Sequence, residues 1–234
     1  MKRCFGLLVT ALLIATASAC ATAPSPRAAG PTDASVPDPL DDGTTSDVAE
    51  AEPSGETRPD PERLNDLRVA PERKRTGYSR SRFKHWSDFD EDGCNTRNEV
   101  LIEESLLEIT IGPRCRLIGG SWFSPYDGKT TTRPSTFDVD HFVPLAEAWD
   151  SGARDWTAEE REQYANDLDH ADALIAVTGS SNRSKSDRDP AQWLPSRDEF
   201  LCTYAATWID IKVEWDLAAD PDEVAALQEV LADC

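Results

Sequence analysis

The chain has 234 residues, 39% of them hydrophobic and 29% charged, with a formal net charge of −20 and a mean hydropathy of −0.53. A field of that sign repels a polyanion at long range, slowing encounter and weakening non-specific binding. A nucleic-acid partner, if there is one, has to be met by a local patch of opposite sign.

Lys2 and Arg3 precede an apolar run from Phe5 to Ala19. The run is too short to span a bilayer and ends in small residues, which is the pattern of an export signal over residues 1–19. Ala17-Ser18-Ala19-Cys20 allows ordinary cleavage after Ala19, or a lipobox in which Cys20 is acylated and becomes the new N-terminus. Cysteine parity favours lipidation. Cys4 leaves with the signal and Cys94, Cys115, Cys202 and Cys234 form an even set, so a bare Cys20 would be an odd thiol in an oxidising compartment. The expected location is the outer face of a membrane, with a secreted soluble form as the alternative. Cys94 with Cys115 and Cys202 with Cys234 is the favoured pairing because each pair is local to one segment; two other connectivities and plain buried thiols stay open.

Residues 20–62 are rich in Pro, Ala, Thr, Ser, Asp and Glu and almost devoid of large apolar side chains, so they cannot bury enough surface to offset their ordering entropy. A disordered acidic tether is expected there. Residues 63–234 suit one domain, expected to be a monomer, with all seven tryptophans and all four tyrosines to build its core. Between Arg68 and Lys84, seven Lys or Arg residues face the single acid Glu72, with Tyr78, Phe83 and Trp86 among or just after them. That stretch reads equally well as a phosphate-tracking surface with aromatic platforms or as a solvated basic face.

Asp88 to Gly93 is a dense acidic turn that resembles half a calcium loop but lacks the complete register. Asn95-Thr96-Arg97-Asn98 has helix-start chemistry and leads a helix carrying Val100, Leu101, Leu106 and Leu107. Leu117–Phe123 and the segment from Thr130 to Asp140 read as two strands joined at a turn over Tyr126-Asp127-Gly128-Lys129, a hairpin that would deliver Asp140 and His141. Leu145–Trp149 is a short helical piece, and Thr157-Ala158-Glu159-Glu160 is a capping box opening a helix that ends near Asn166. Leu174–Thr178 is a short buried strand broken by Gly179-Ser180-Ser181, after which a helix starts near Asn182 and stops before Pro190. Trp208, Ile211 and Trp215 share a face that reads as core, and Pro221 opens a last helix.

Asp138-Val139-Asp140-His141 and Asn182-Arg183-Ser184-Lys185 carry the chemistry. Hydrolysis of a phosphodiester needs an activated water and a cation to neutralise charge on the phosphoryl oxygens. Asp140 and the amide oxygen of Asn182 are hard ligands suited to one Mg²⁺ or Mn²⁺ ion. His141, with an unperturbed pKa of ~6.5, suits a base if a local bend aims its ring, since neighbours on a strand point opposite ways. Arg183 and Lys185 could grip flanking phosphates.

These two stretches resemble the HNH endonuclease motif and are similar to the HNH domain of RNA-guided CRISPR nucleases. Together with Cys94-Asn95-Thr96-Arg97, Pro125-Tyr126-Asp127-Gly128, Leu145–Trp149, Trp193 and Cys202, they resemble more closely a family of exported bacterial HNH-type proteins. The resemblance implies an α+β fold with a ββα-metal core, additional helices and two disulfides. It implies a metal-dependent endonuclease acting on DNA, or RNA, with Asp140 and Asn182 as ligands, His141 as base and Arg97 as a phosphate contact. One departure stands out. The motif's central asparagine, which braces the loop carrying the base, should fall where this chain has Asp172-Ala173, so either Asp172 or His170 substitutes or the brace is absent, with Asp138 as a further supporting residue. The rival readings are a catalytically silent surface lipoprotein that binds nucleic acid or an envelope partner, and a different metal hydrolase of phosphoesters.

Overall fold

The computed structural model describes residues 61–234, apart from Ala171. The expected signal, the acylated Cys20 and the tether up to residue 60 lie outside the described residues. In chain order the elements are β1 (Arg68–Val69), α1 (Thr96–Glu103), β2 (Ile109–Gly112), β3 (Arg116–Gly119), β4 (Trp122–Ser124), β5 (Lys129–Thr131), β6 (Phe137–His141), α2 (Leu145–Ser151), α3 (Ala158–Ala165), β7 (Leu174–Thr178), α4 (Gly179–Lys185), α5 (Leu201–Glu214), β8 (Ala218–Ala219) and α6 (Pro221–Ala232). The strands pair two by two: β1 with β8 in parallel, and β2 with β3, β4 with β5 and β6 with β7 antiparallel. The fold is thus mixed α and β with small sheets. No described helix is long and apolar enough to cross a membrane.

The caps explain most helix boundaries. Asn95 accepts from the Asn98 amide at the head of α1, while Thr157 with Glu160 and Asp220 with Glu223 form full capping boxes on α3 and α6. Two cysteine pairs are bonded, Cys94–Cys115 with Cα atoms 5.0 Å apart and Cys202–Cys234 at 5.7 Å, the pairing the local segments suggested. The first ties the head of α1 to the β2–β3 hairpin; the second ties α5 to the chain end after α6.

Several expected boundaries move. Leu117–Phe123 is two strands, because Gly119 and Gly120 adopt φ of +86° and +82° and turn the chain between β3 and β4. A Cβ at Gly120 would also lie 2.6 Å from the Trp122 ring. The turn at Tyr126–Gly128 does close a hairpin, pairing Ser124 with Lys129, but this hairpin does not deliver the site. A 3₁₀ turn at Pro134–Thr136 ends the excursion, and β6 pairs instead with β7, setting Asp140 opposite Ile175 and His141 opposite Leu174. Helix α1 stops at Glu103, leaving Leu106 and Leu107 63% and 60% exposed in the following loop. Thr178 caps α4 through the Ser181 amide, so Gly179-Ser180-Ser181 is the first turn of that helix and not a break before it.

The main core joins Phe142, Tyr204, Trp208, Ile209 and Ile211 with Ile175 and Val177 on one face of β6–β7. A smaller core of Val100, Leu101, Trp122, Phe137, Val139 and Leu174 covers the other. The C-terminal tryptophans are packing, as their spacing indicated: Trp208 is fully buried, and Trp215 leans on Trp156 and Tyr164. Much of the basic stretch is absorbed in the same way. Arg68 pairs with Asp216, Arg73 with Asp155, Arg75 with Asp150 and Asp187, and Lys84 with Glu162. Phe83 is fully buried and Tyr78 packs edge-on against Trp149, so these rings are not base platforms; an acid-rich domain has recruited four of this strap's seven cations as counter-charge and leaves Arg80 exposed.

Candidate active site

Alternation along β6 sends Asp138 and Asp140 to one face and Val139 and His141 to the other. On its own face, Asp140 meets Tyr126 and Lys185. The Tyr126 hydroxyl donates to Oδ2 of Asp140 at 2.9 Å and the Lys185 ammonium donates to the same oxygen at 2.6 Å. Lys185 donates also to the carbonyl of His141 at 3.0 Å, so one cation fixes two consecutive residues. It stands on α4, one turn after Asn182, and the tight end of that helix at Ser186, with φ of +55°, keeps it short. Lys185 is fully buried. Expected to grip a phosphate, it instead organises the strand end from inside. Burial raises the pKa of Asp140 and lowers that of Lys185, each against the attraction of the other.

His141 leaves the opposite face, and no bend in β6 is needed to place it. Its ring packs 5.4 Å from Trp86 at 31° and 6.3 Å from His85. Nε2 lies 2.9 Å from the carbonyl oxygen of Ala165. A carbonyl cannot donate, so Nε2 carries the hydrogen and Nδ1 is left with its lone pair. Burial holds the ring neutral, bringing its pKa down from 6.5 to about 3, with Arg80, His85 and Lys185 pushing the same way and the Ala165 carbonyl opposing.

The Ala165 carbonyl is itself fixed by the next residue. Asn166 ends α3, is 4% exposed, and uses all its side-chain capacity: Oδ1 accepts from the Ser87 amide and the Thr96 hydroxyl, and Nδ2 donates to the carbonyls of Lys84 and Glu162. His170 and Asp172, the expected braces, sit elsewhere. They line an acidic hollow of about 420 Å³ with Glu99, Glu103, Glu104 and Asp167, because the loop before β7 turns away through a positive φ at Asp172.

On α4, Asn182 donates from Nδ2 to Asp138 at 3.2 Å, which leaves its amide oxygen free, and exposed Arg183 stands 3.7 Å from the same carboxylate. Asp140, His141, Asn182 and Arg183 line one cleft of about 260 Å³ together with Arg80 and Asp187. Arg97 is not in it. Its guanidinium donates to the carbonyls of Phe137 and Pro134 and holds the start of β6.

Tyr126, Asn166 and, individually, Arg80 carried no site role in the sequence, and Trp86 stood there only as an aromatic beside the basic stretch. An Asn at a helix end is a recognised C-cap signal, and Arg80 belonged to the seven-cation stretch; nothing local marked Tyr126 or Trp86 as neighbours of the Asp-His pair.

Residues 115–230 match the family described as GmrSD restriction endonucleases, C-terminal domain. An "uncharacterized secreted protein" of Arthroderma benhamiae is 42% identical over 171 residues, 73% of this chain and 82% of that protein. No solved structure matches. The fungal source of this relative shows that the likeness is not confined to bacterial exported proteins. β6, β7, α4 and every cleft residue except Arg80 lie inside the matched span, over which the chain is similar to this nuclease-related family, and the chain belongs to one family with the fungal secreted protein.

Proposed function

We propose that the protein is a metal-dependent endonuclease hydrolysing phosphodiester bonds of DNA, or RNA, with β6, β7 and α4 as a ββα-metal core. The observation that carries this reading is the orientation of His141, whose Nε2 is committed to the Ala165 carbonyl so that the unprotonated Nδ1 serves as general base. The ring is neutral before substrate arrives, as a base must be.

The donor set fits one hard divalent cation, Mg²⁺ or Mn²⁺. Both protein donors to Asp140 take Oδ2, leaving Oδ1, and the amide oxygen of Asn182 is freed by the bond from Nδ2 to Asp138. When bound there, the cation supplies charge neutralisation at the phosphoryl oxygens. His141 removes the proton of the attacking water through Nδ1. Lys185 and Tyr126 hold Asp140 in position. Arg80 and Arg183, both exposed at the cleft, hold the flanking phosphates, and Asp138 orients Asn182 and Arg183. Lys185 has no part in substrate contact because it is enclosed.

The fungal relative is described as secreted, and together with the leader and two disulfides this supports export, with lipidation at Cys20 as the anchor. The test is cleavage of a fluorescent oligonucleotide by the full chain across a Mg²⁺ and Mn²⁺ titration. His141→Ala should lose ~10²–10⁴-fold at every metal concentration, whereas the defect of Asn182→Ala should shrink as metal is raised. Wild-type cleavage by His141→Ala would sink the assignment and favour a silent binding module.

A further inference from the structure

On the nuclease reading, His141 has to present Nδ1 to the attacking water, and a single hydrogen bond does not fix a ring. The contact from Nε2 to the Ala165 carbonyl holds one atom, at 2.9 Å, while the outer torsion of a histidine side chain is broad and roughly two-fold. A second restraint has to set the plane.

Trp86 stands where that restraint is needed. Its indole lies 5.4 Å from the imidazole and is tilted by only 31° to it, an offset stack, and His85 meets the indole edge-on at 5.3 Å. Trp86 is half-buried and rests on the smaller core.

The backbone there is out of the ordinary. Trp86 has φ of +63°, in the left-handed region that bulky residues avoid, and such a conformation persists only where the surroundings over-determine it. They do so here. Asn166 donates from Nδ2 to the Lys84 carbonyl at 2.7 Å and accepts at Oδ1 from the Ser87 amide at 2.8 Å, so one side-chain amide brackets His85 and Trp86. The Ser87 carbonyl accepts from the Thr96 amide at 2.9 Å, the Ser87 hydroxyl donates to Glu162 at 2.7 Å, and Nδ1 of His85 donates to the Phe83 carbonyl at 2.9 Å. Glycine would make the same turn without strain, whereas a tryptophan held there supplies a ring that glycine lacks. Asn166 also follows Ala165 directly, so the carbonyl that holds Nε2 and the turn that holds the indole share one anchor.

We infer that Trp86 is a positioning residue for His141: bracketed by Asn166, its indole sets the plane of the imidazole, so that the Nε2–H tautomer persists and the Nδ1 lone pair faces the cleft. Trp86 touches no reacting atom. Its loss leaves the base present and poorly aimed, which lowers kcat and spares KM.

The experiment is nitrogen-15 NMR of the histidine rings in the full chain, at neutral pH and without nucleic acid, paired with steady-state cleavage of the fluorescent oligonucleotide in Mg²⁺. The His141 signals are those absent from His141→Ala. Wild type should show a single tautomer protonated at Nε2, and a mixture or an Nδ1–H ring would overturn the proposal before any variant is made. Trp86→Gly, which is at ease at positive φ and lacks only the ring, should mix the tautomers and lower kcat by roughly 10–100-fold with KM within about twofold. Trp86→Phe restores a ring and should recover the single tautomer and most of kcat. Asn166→Asp keeps the acceptor for the Ser87 amide, loses both donors, and should shift the tautomer as Trp86→Gly does. A wild-type spectrum in Trp86→Gly or in folded Asn166→Asp, or a Trp86→Phe protein as defective as Trp86→Gly, would also overturn it. The spectra need no substrate, so a wild type that cleaves nothing sinks the nuclease reading and leaves the orientation of the ring tested on its own.

Discussion

Two lysines are completely enclosed in this domain, and they are enclosed differently. Lys212 lies among Glu147, Glu223, the Ser151 hydroxyl and the Ala218 carbonyl, so two carboxylates answer one ammonium. Lys185 has one carboxylate, Asp140, with Tyr126 as a competing donor to the same oxygen. The attraction of two acids outweighs burial and raises the pKa of Lys212, whereas a single acid does not, and the pKa of Lys185 falls. The first arrangement is a clamp that joins α2, α5 and α6. The second is a less satisfied pair at the strand end that carries Asp140 and His141, where a further positive charge can be accommodated. A half-buried acid, Glu104, completes the series with no cation at all: its two oxygens accept from the Ala176 amide, and burial pushes its pKa up to about 7.

The largest effect is expected at the clamp. Lys212→Met strands two carboxylates in the core and should lower unfolding free energy by about 4–5 kcal/mol, read by urea denaturation at neutral pH. Lys185→Met strands one, which can take up a proton, so about 3 kcal/mol is expected, accompanied by loss of most cleavage because Asp140 and the His141 carbonyl lose their common donor. If Lys185→Met proves the more destabilising of the two, the contrast between clamp and site fails.

Glu104 tests the sign. Its folded pKa of about 7 lies above the model-peptide 4.5, so the folded state prefers the protonated acid. That stability is fully present below pH 4.5 and is lost as pH rises through 7. Glu104→Gln stays neutral and keeps an acceptor for the Ala176 amide; it should match wild type near pH 4.5 and exceed it by about 2–3 kcal/mol at pH 8. Parallel stability curves over that range would show that the carboxylate is not protonated in the fold. The smallest change is Tyr126→Phe, which removes one donor to Asp140 and should cost about 1 kcal/mol, with Asp140 drawn closer to sole dependence on Lys185. A neutral result in both melting and cleavage would mean that Lys185 alone sets the carboxylate.

Some site residues are visible in the sequence and others are not. Asp140, His141, Asn182 and Arg183 stand in two short stretches whose residue types match a hydrolytic site, and the structure gathers them in one cleft. Lys185 was legible as important and misread in role, because a lysine one turn from a ligand looks the same whether its stem runs outward or inward. The orientation of His141 depends on the Ala165 carbonyl, and a backbone carbonyl has no sequence signature at all.

The sequence by itself determined what is local: the caps at Asn95, Thr157 and Asp220, the apolar strand Leu174–Thr178, the turn at Asp127-Gly128, and the pairing of cysteines within their own segments. These rest on hydrogen bonds and contacts between residues close in the chain, which residue type and spacing encode directly. Tertiary structure alone decided which strand β6 pairs with, that Tyr126 and Lys185 meet on one oxygen of Asp140, and that Arg68, Arg73, Arg75 and Lys84 of the strap pair with distant acids while Arg80 reaches the cleft. Each of those contacts joins segments far apart in sequence, and burial, which sets their charge states, is a property of the assembled core rather than of any one stretch of chain.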